Sequence, residues 1–301
     1  MKKTTLKGVL VPLATAFRQS GGVDIAKMKK VTQFVCQGEV HMVIPAGSTG
    51  EFFALTREDR KRLLEIVLEE VNGRVPVYAG TGAITTRETI ELTRQAEEIG
   101  ADGALILTPF YISPTQEDLY EHYATIAKKT RLPIIIYSNP GRTGGVTPSP
   151  QTAKRLAKIK NIVALKDSSG NLGLTAEYIR QTKDEDFSIL MGQDKLFYAG
   201  LMHGCTGLVA ATANVAPRLL VELYRAYTKK DFEKCLTLQE KVTLIRNGFE
   251  LLPFPVAAKA MMKIAGVDVG LAQTPLGTGK EIPPDILAEL KKIVKAVNLW
   301  E

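Results

Sequence analysis

The chain has 301 residues, enough for one barrel-sized domain with an appendage. Its 45% hydrophobic and 24% charged residues, with 25 glycines and 15 prolines, are the balance of an ordinary globular protein and exclude disordered, collagenous and membrane classes. The net charge of +7 comes from 39 basic and 32 acidic residues scattered along helix-like stretches such as Arg57–Arg62 and Lys154–Lys160; it reads as a solvated surface or an attraction for small anions, and argues against a nucleic-acid partner.

At the N-terminus, Lys2 and Lys3 precede an apolar stretch ending Ala14-Thr15-Ala16, which imitates a secretory leader. Lys7 and Pro12 interrupt it, so a buried first strand is predicted instead. No apolar run approaches the ~20 residues of a membrane helix. Cys36, Cys205 and Cys235 are far apart with no CxxC, and the histidines are His41, His122 and His203. Neither a disulfide framework nor a structural zinc site is expected, and the compartment implied is reducing and cytoplasmic.

Short runs rich in Val, Ile and Leu then alternate with segments of helical period. Strands are predicted at Gly8–Leu13, Val40–Pro45, Val75–Ala79, Gly103–Leu107, Pro133–Tyr137, Ile162–Lys166, Ser188–Met191 and Thr206–Ala211. They recur about every 20–35 residues, the length of a strand-plus-helix unit. Thr56 is a candidate helix cap with Asp59 three residues on, followed by Leu63, Leu64, Val67 and Leu68 on one face. Eight such units predict an α/β fold, a (β/α)8 TIM barrel with a C-terminal helical extension; a doubly wound open sheet is the alternative. Helical periods alone continue through Leu219–Tyr227, Phe232–Asn247, Val256–Ile264 and Pro284–Asn298. The division expected is a catalytic barrel over residues 1–225 and an extension over 226–301.

In such barrels the reactive groups gather at the C-terminal ends of the strands. The second strand ends in Gly47-Ser48-Thr49-Gly50-Glu51, where flanking glycines admit a ligand close to the backbone and two N–H groups with two hydroxyls can hold a carboxylate. A tight turn capping a helix is the plainer reading. Gly80-Thr81-Gly82 lacks the third glycine of a dinucleotide fingerprint, and Gly277-Thr278-Gly279-Lys280 lacks the spacing of a phosphate loop. Tyr137 ends the fifth strand and is followed by Ser138-Asn139-Pro140-Gly141-Arg142, residues that are by themselves equally read as packing and solvated surface. Lys166 ends the apolar strand Ile162-Val163-Ala164-Leu165, so its ammonium should sit at the mouth or inside, where charge is costly. Desolvation there favours the neutral amine, the form that condenses with ketones.

Four strand-end elements, Gly-Ser-Thr-Gly-Glu (47–51), Thr-Pro-Phe-Tyr (108–111), Tyr-Ser-Asn-Pro-Gly-Arg-Thr-Gly (137–144) and Leu-Lys-Asp-Ser-Ser-Gly (165–170), occur in order across nearly the whole chain. Together they resemble the dihydrodipicolinate synthase / N-acetylneuraminate lyase family of pyruvate-dependent class I aldolases. The resemblance implies that Lys166 forms an imine with pyruvate and that Tyr137 shuttles protons. It further implies that Ser48 and Thr49 grip the pyruvate carboxylate in a pocket completed by Gly47 and Val209, and that Tyr111 is donated across a tight dimer to the neighbour's relay. Arg142 would bind the carboxylate of aspartate semialdehyde. A homotetramer built from tight dimers, a place in lysine biosynthesis and no cofactor or metal are implied with it.

The second substrate is the open question. Arg142 and Tyr111 favour condensation of pyruvate with a small aldehyde, aspartate semialdehyde. Ser48, where the synthases usually carry threonine, together with Glu51-Phe52-Phe53 and Lys166-Asp167-Ser168-Ser169, resembles the 2-oxo sugar-acid aldolases and dehydratases or N-acetylneuraminate lyase. A barrel that binds a ligand without catalysis is the remaining alternative. The resemblance also implies a lysine-inhibitor pocket, but Ile84 and Phe110 stand where inhibited members carry asparagine and tyrosine, and Arg57 and Arg60 lie nearby with Glu88 retained.

Overall fold

The computed structural model describes residues 6–276 and 281–297, so the leader-like Lys2 and Lys3 and the Gly277–Lys280 segment lie outside the described residues. Eight parallel strands, β1 (Gly8–Pro12), β2 (Met42–Ile44), β3 (Tyr78–Gly80), β4 (Gly103–Leu107), β5 (Ile134–Ser138), β6 (Ile162–Asp167), β7 (Ser188–Met191) and β8 (Gly207–Val209), follow the order β2-β1-β8-β7-β6-β5-β4-β3. The ends of that order meet. The Val43 N–H donates to Pro76 O at 3.1 Å and the Gly80 N–H to Pro45 O at 2.9 Å, which closes the sheet into a barrel and removes its edges.

Helices α1 (Ile25–Gln37), α2 (Arg57–Val71), α3 (Thr86–Ile99), α4 (Gln116–Ala127), α5 (Pro150–Ala157), α6 (Leu172–Thr182), α7 (Phe197–His203) and α8 (Pro217–Thr228) alternate with the strands and cover them. The cap foreseen for α2 is present: Thr56 Oγ1 accepts the Asp59 N–H at 3.1 Å while Asp59 Oδ2 accepts the Thr56 N–H at 3.1 Å, satisfying donors at the helix start. α9 (Phe232–Phe249), α10 (Val256–Ile264) and α11 (Pro284–Ala296) form the extension. α8 runs to Thr228, so a division at 225/226 falls in its last turn.

The strands are buried on both faces. Leu10, Met42, Ile44, Leu105, Leu107, Ile135, Ala164, Leu190 and Val209 fill the interior, while Val9, Val11, Ile106, Ile134, Ile136, Leu165, Ile189 and Leu208 pack under the helices. Adjacent residues of one strand thus separate into two apolar layers, as the period of two requires, except at Val163 and Ala164 of β6, which both join the interior where the β5–β6 register shifts. β3 starts three residues later than its apolar run predicts. Pro76 has no N–H to give a ladder, and the Val77 N–H is taken by Asp102 Oδ2 at 2.8 Å.

Candidate active site

The period of two also aims the reactive side chains. On β5, Tyr137 follows the inward Ile135 by two residues, and on β6, Lys166 follows the inward Ala164 by two. Both therefore enter the barrel at its C-terminal mouth. Tyr137 and Lys166 are register partners across the β5–β6 ladder, and Lys166 Nζ lies 3.8 Å from the centroid of the Tyr137 ring. Each is only 5% exposed. They line a cavity of about 100 Å³ that opens at the mouth, together with Ser48, Thr49, Val209 and Arg142.

Burial alone would push the Tyr137 phenol up, and it is the largest single influence on it. The Lys166 charge, hydrogen bonds with Ser48 and Asn139, and the charge of Arg142 together outweigh it, so the phenol titrates below its ordinary value. Asn139 Nδ2 donates to Tyr137 Oη at 2.8 Å, which favours the phenolate and fixes the ring. A phenol so placed can give up and recover a proton beside an amine.

The loop after β2 is the candidate carboxylate cradle. Two non-glycine residues in the left-handed region bracket it, Ala46 at φ 56° and Glu51 at φ 54°. The N–H groups of Glu51 and Phe52 are consumed inside the loop, donating to Ser48 O at 3.2 Å and Gly47 O at 3.3 Å. Among the described residues, the N–H groups of Ser48 and Thr49 meet no protein acceptor, leaving two donors for an anion. Gly50 must lack a side chain, since a Cβ there would lie 2.9 Å from Leu13 O, and its carbonyl accepts Thr15 Oγ1–H at 2.7 Å. Gly47 is buried at the start of the loop, and Val209 closes the floor from β8.

Arg142 stands at the rim on the turn after β5, exposed, its guanidinium 5.1 Å from the centroid of Phe254. Arg246, from α9, approaches the same ring at 6.0 Å and lines the same cavity. The entrance thus carries two guanidinium groups and an aromatic ring, a lining suited to an anionic group. One chain does not bring Tyr111 to this cavity: it sits on the loop after β4 at φ 72° with 93% of its surface exposed.

Sequence reasoning named Asn139 only within a motif, without a role, and passed over Gln193, Asp194, Arg246 and Phe254. Asn139 lies two residues beyond Tyr137, and Gln193 and Asp194 follow the end of β7, so the strand-end rule could have found all three. Gln193 Nε2 donates to Ser168 O at 3.0 Å, and Asp194 Oδ1 accepts the Thr212 N–H at 3.0 Å, tying the β7 and β8 loops to the mouth. Arg246 and Phe254 come from the extension, to which no strand-end rule applies.

An amine and a phenol side by side at the mouth of a parallel barrel, in one cavity with a loop whose Ser48 and Thr49 N–H groups are unpaired, define a lyase of the class I aldolase type. The profile of the Dihydrodipicolinate synthetase family matches residues 5–297, and the chain belongs to that family. It is 37% identical over 291 residues to the 4-hydroxy-tetrahydrodipicolinate synthase of Methanopyrus kandleri, covering 96% of each chain. Among solved structures it is similar to dihydrodipicolinate synthase from Aquifex aeolicus, at 33% identity and TM-score 0.92, covering 98% of this chain and 99% of that one. It is also similar to the chloride-inhibited dihydrodipicolinate synthase of Acinetobacter baumannii complexed with pyruvate, at 33% identity and TM-score 0.91, covering 98% of this chain and 100% of the other.

Proposed function

We propose that the protein condenses pyruvate with aspartate semialdehyde, acting as a 4-hydroxy-tetrahydrodipicolinate synthase. The observation that carries the reading is the register pairing of Lys166 with Tyr137 on the inner wall, between the Ser48–Thr49 cradle and Arg142. The Lys166 amine adds to the pyruvate ketone, and Tyr137 carries protons as water leaves and the iminium forms. The iminium then draws electrons from the adjacent carbon, giving an enamine that attacks the aldehyde. Fixed donors at Ser48 and Thr49 hold the pyruvate carboxylate throughout, so little reorganisation accompanies each step. No metal or organic cofactor takes part in this scheme.

Tyr111 completes the scheme from a second copy. Its high exposure and a backbone conformation that non-glycine residues rarely adopt support a side chain that works outside its own chain, in a neighbour's proton relay. The assembly proposed is a homotetramer of tight dimers working in the cytoplasm. Among the described residues, no helix is long and apolar enough to cross a membrane.

A panel assay tests the substrate. Pyruvate with aspartate semialdehyde should give the highest kcat/KM, well above cleavage of keto-deoxygluconate or N-acetylneuraminate; preference for either sugar acid would replace the reading. Arg142→Ala should raise the KM for aspartate semialdehyde about tenfold or more, from losing a charge-assisted contact of roughly 1.5–3 kcal/mol, with little change for pyruvate. Equal effects on both substrates would reject the role given to Arg142.

Lysine should not inhibit at millimolar levels. The cavity between α2 and α3 is lined by Arg57, Arg60, Arg87, Glu88 and Glu91. Arg57 already occupies Glu91 at 3.1 Å, which leaves Glu88 against Arg60 and Arg87 as partner for an incoming ammonium. Calorimetric titration with lysine, with and without pyruvate, should show no saturable heat; sub-millimolar binding would show that the cavity accepts the amino acid after all.

A further inference from the structure

Behind the carboxylate cradle lies an ion pair that the chemistry above does not use. Glu51 closes the Gly47–Glu51 loop and is wholly buried, and its carboxylate pairs with the Lys259 ammonium of α10, itself 3% exposed. Glu51 Oε2 also accepts the Gln273 N–H at 2.7 Å. Lys259 donates in turn to Leu271 O at 3.0 Å, with its ammonium 4.6 Å from the centroid of the Phe17 ring. Every other ion pair among the described residues has at least one well-exposed side chain.

Taking two charges out of water is costly, and a buried pair seldom adds net stability over apolar residues of the same shape. What it does supply is a fixed arrangement, because neither partner can shift without stranding the other. Here the pair joins three separated pieces of chain: the loop after β2, the helix α10 and the 271–273 segment of the extension. Ser48 and Thr49 lie only three and two residues before Glu51, and Glu51 is held in the left-handed region at φ 54°. Relaxing that residue turns the peptide planes of the loop, and with them the two unpaired N–H donors of the cavity-lining Ser48 and Thr49.

We propose that Glu51 and Lys259 are positioning residues through which the C-terminal extension sets the geometry of the Ser48–Thr49 cradle, and so the affinity for pyruvate. This rests on reading that loop as the carboxylate cradle.

The test follows pyruvate alone, by the pyruvate concentration that half-saturates borohydride-dependent labelling of the protein. Glu51→Gln, Lys259→Met and the double variant are compared with wild type and with Thr49→Val, and a thermal melt is recorded for each. The double variant, with no charge left buried, should melt near wild type yet need at least tenfold more pyruvate. Glu51→Gln, which can still accept from Gln273 but leaves the Lys259 ammonium without its carboxylate, should melt below wild type and shift half-saturation in the same direction. Half-saturation that returns to wild type in the double variant together with the melting temperature, or that stays within twofold of wild type in both Glu51→Gln and the double variant, overturns the proposal. If Thr49→Val shifts half-saturation in that case, the cradle reading survives and only the coupling fails; if Thr49→Val is also silent, the cradle reading itself is wrong.

Discussion

Lys166→Arg should lower turnover of pyruvate by roughly 10⁴-fold or more, the scale on which enzymes lose activity when a covalent nucleophile is removed. Arginine keeps the positive charge beside Tyr137, so any electrostatic help to the phenol is retained. It stays protonated, however, and a guanidinium does not condense with a ketone. The cavity of about 100 Å³ also has little room for its planar fork. The substitution therefore separates a lysine that acts as a nucleophile from one that acts only as a charge. Steady-state rates on pyruvate and aspartate semialdehyde read the outcome, with a thermal melt to confirm folding. Retention of more than a few per cent of activity would mean that Lys166 does no covalent chemistry.

Tyr137→Phe should cost about 10²–10⁴-fold in kcat, the usual contribution of a positioned proton carrier. The change keeps the ring over Lys166 and removes only the hydroxyl. Asn139 Nδ2 loses its acceptor at 2.8 Å, but Asn139 is half-buried, and water can replace the lost partner. The KM for pyruvate should move much less than kcat, because the carboxylate is held by the loop after β2. A wild-type pH profile should carry a basic limb governed by this phenol, displaced below the ordinary tyrosine value because Lys166, Ser48, Asn139 and Arg142 outweigh the effect of burial. A kcat unchanged within threefold would remove Tyr137 from the relay.

Much of the architecture was legible in the chain because parallel strands covered on both faces must be continuous apolar runs, and eight such runs alternate with helical segments. β4 and β7 occur at the residues their composition marks, Gly103–Leu107 and Ser188–Met191. The same logic reaches the pair at the centre of the site. A lysine ending an uninterrupted apolar strand has to emerge at the mouth, and a tyrosine ending the strand before it emerges alongside. What the chain did not disclose depends on contacts between distant segments. Nothing around Phe254 or Arg246 says that they will meet Arg142 at the rim, since that meeting depends on how the extension folds back over the barrel. Glu51 was visible as part of a loop motif. Its partner Lys259 was not, because a lysine in an amphipathic helix reads as surface until a buried carboxylate from another part of the chain is brought against it.

The imine itself is the most direct test of the account. Incubating the protein with pyruvate and borohydride reduces an iminium to a stable secondary amine, and peptide mass mapping then locates it. The expected result is a single modification per chain, pyruvic acid less one oxygen atom, on Lys166. Lys259 is the informative comparison, being as deeply buried but paired with the Glu51 carboxylate and outside the lining of the cavity. Labelling confined to Lys166, and absent from Lys166→Arg, is what the account requires. Labelling of Lys259 or of surface lysines instead, or no pyruvate-dependent mass at all, would contradict it.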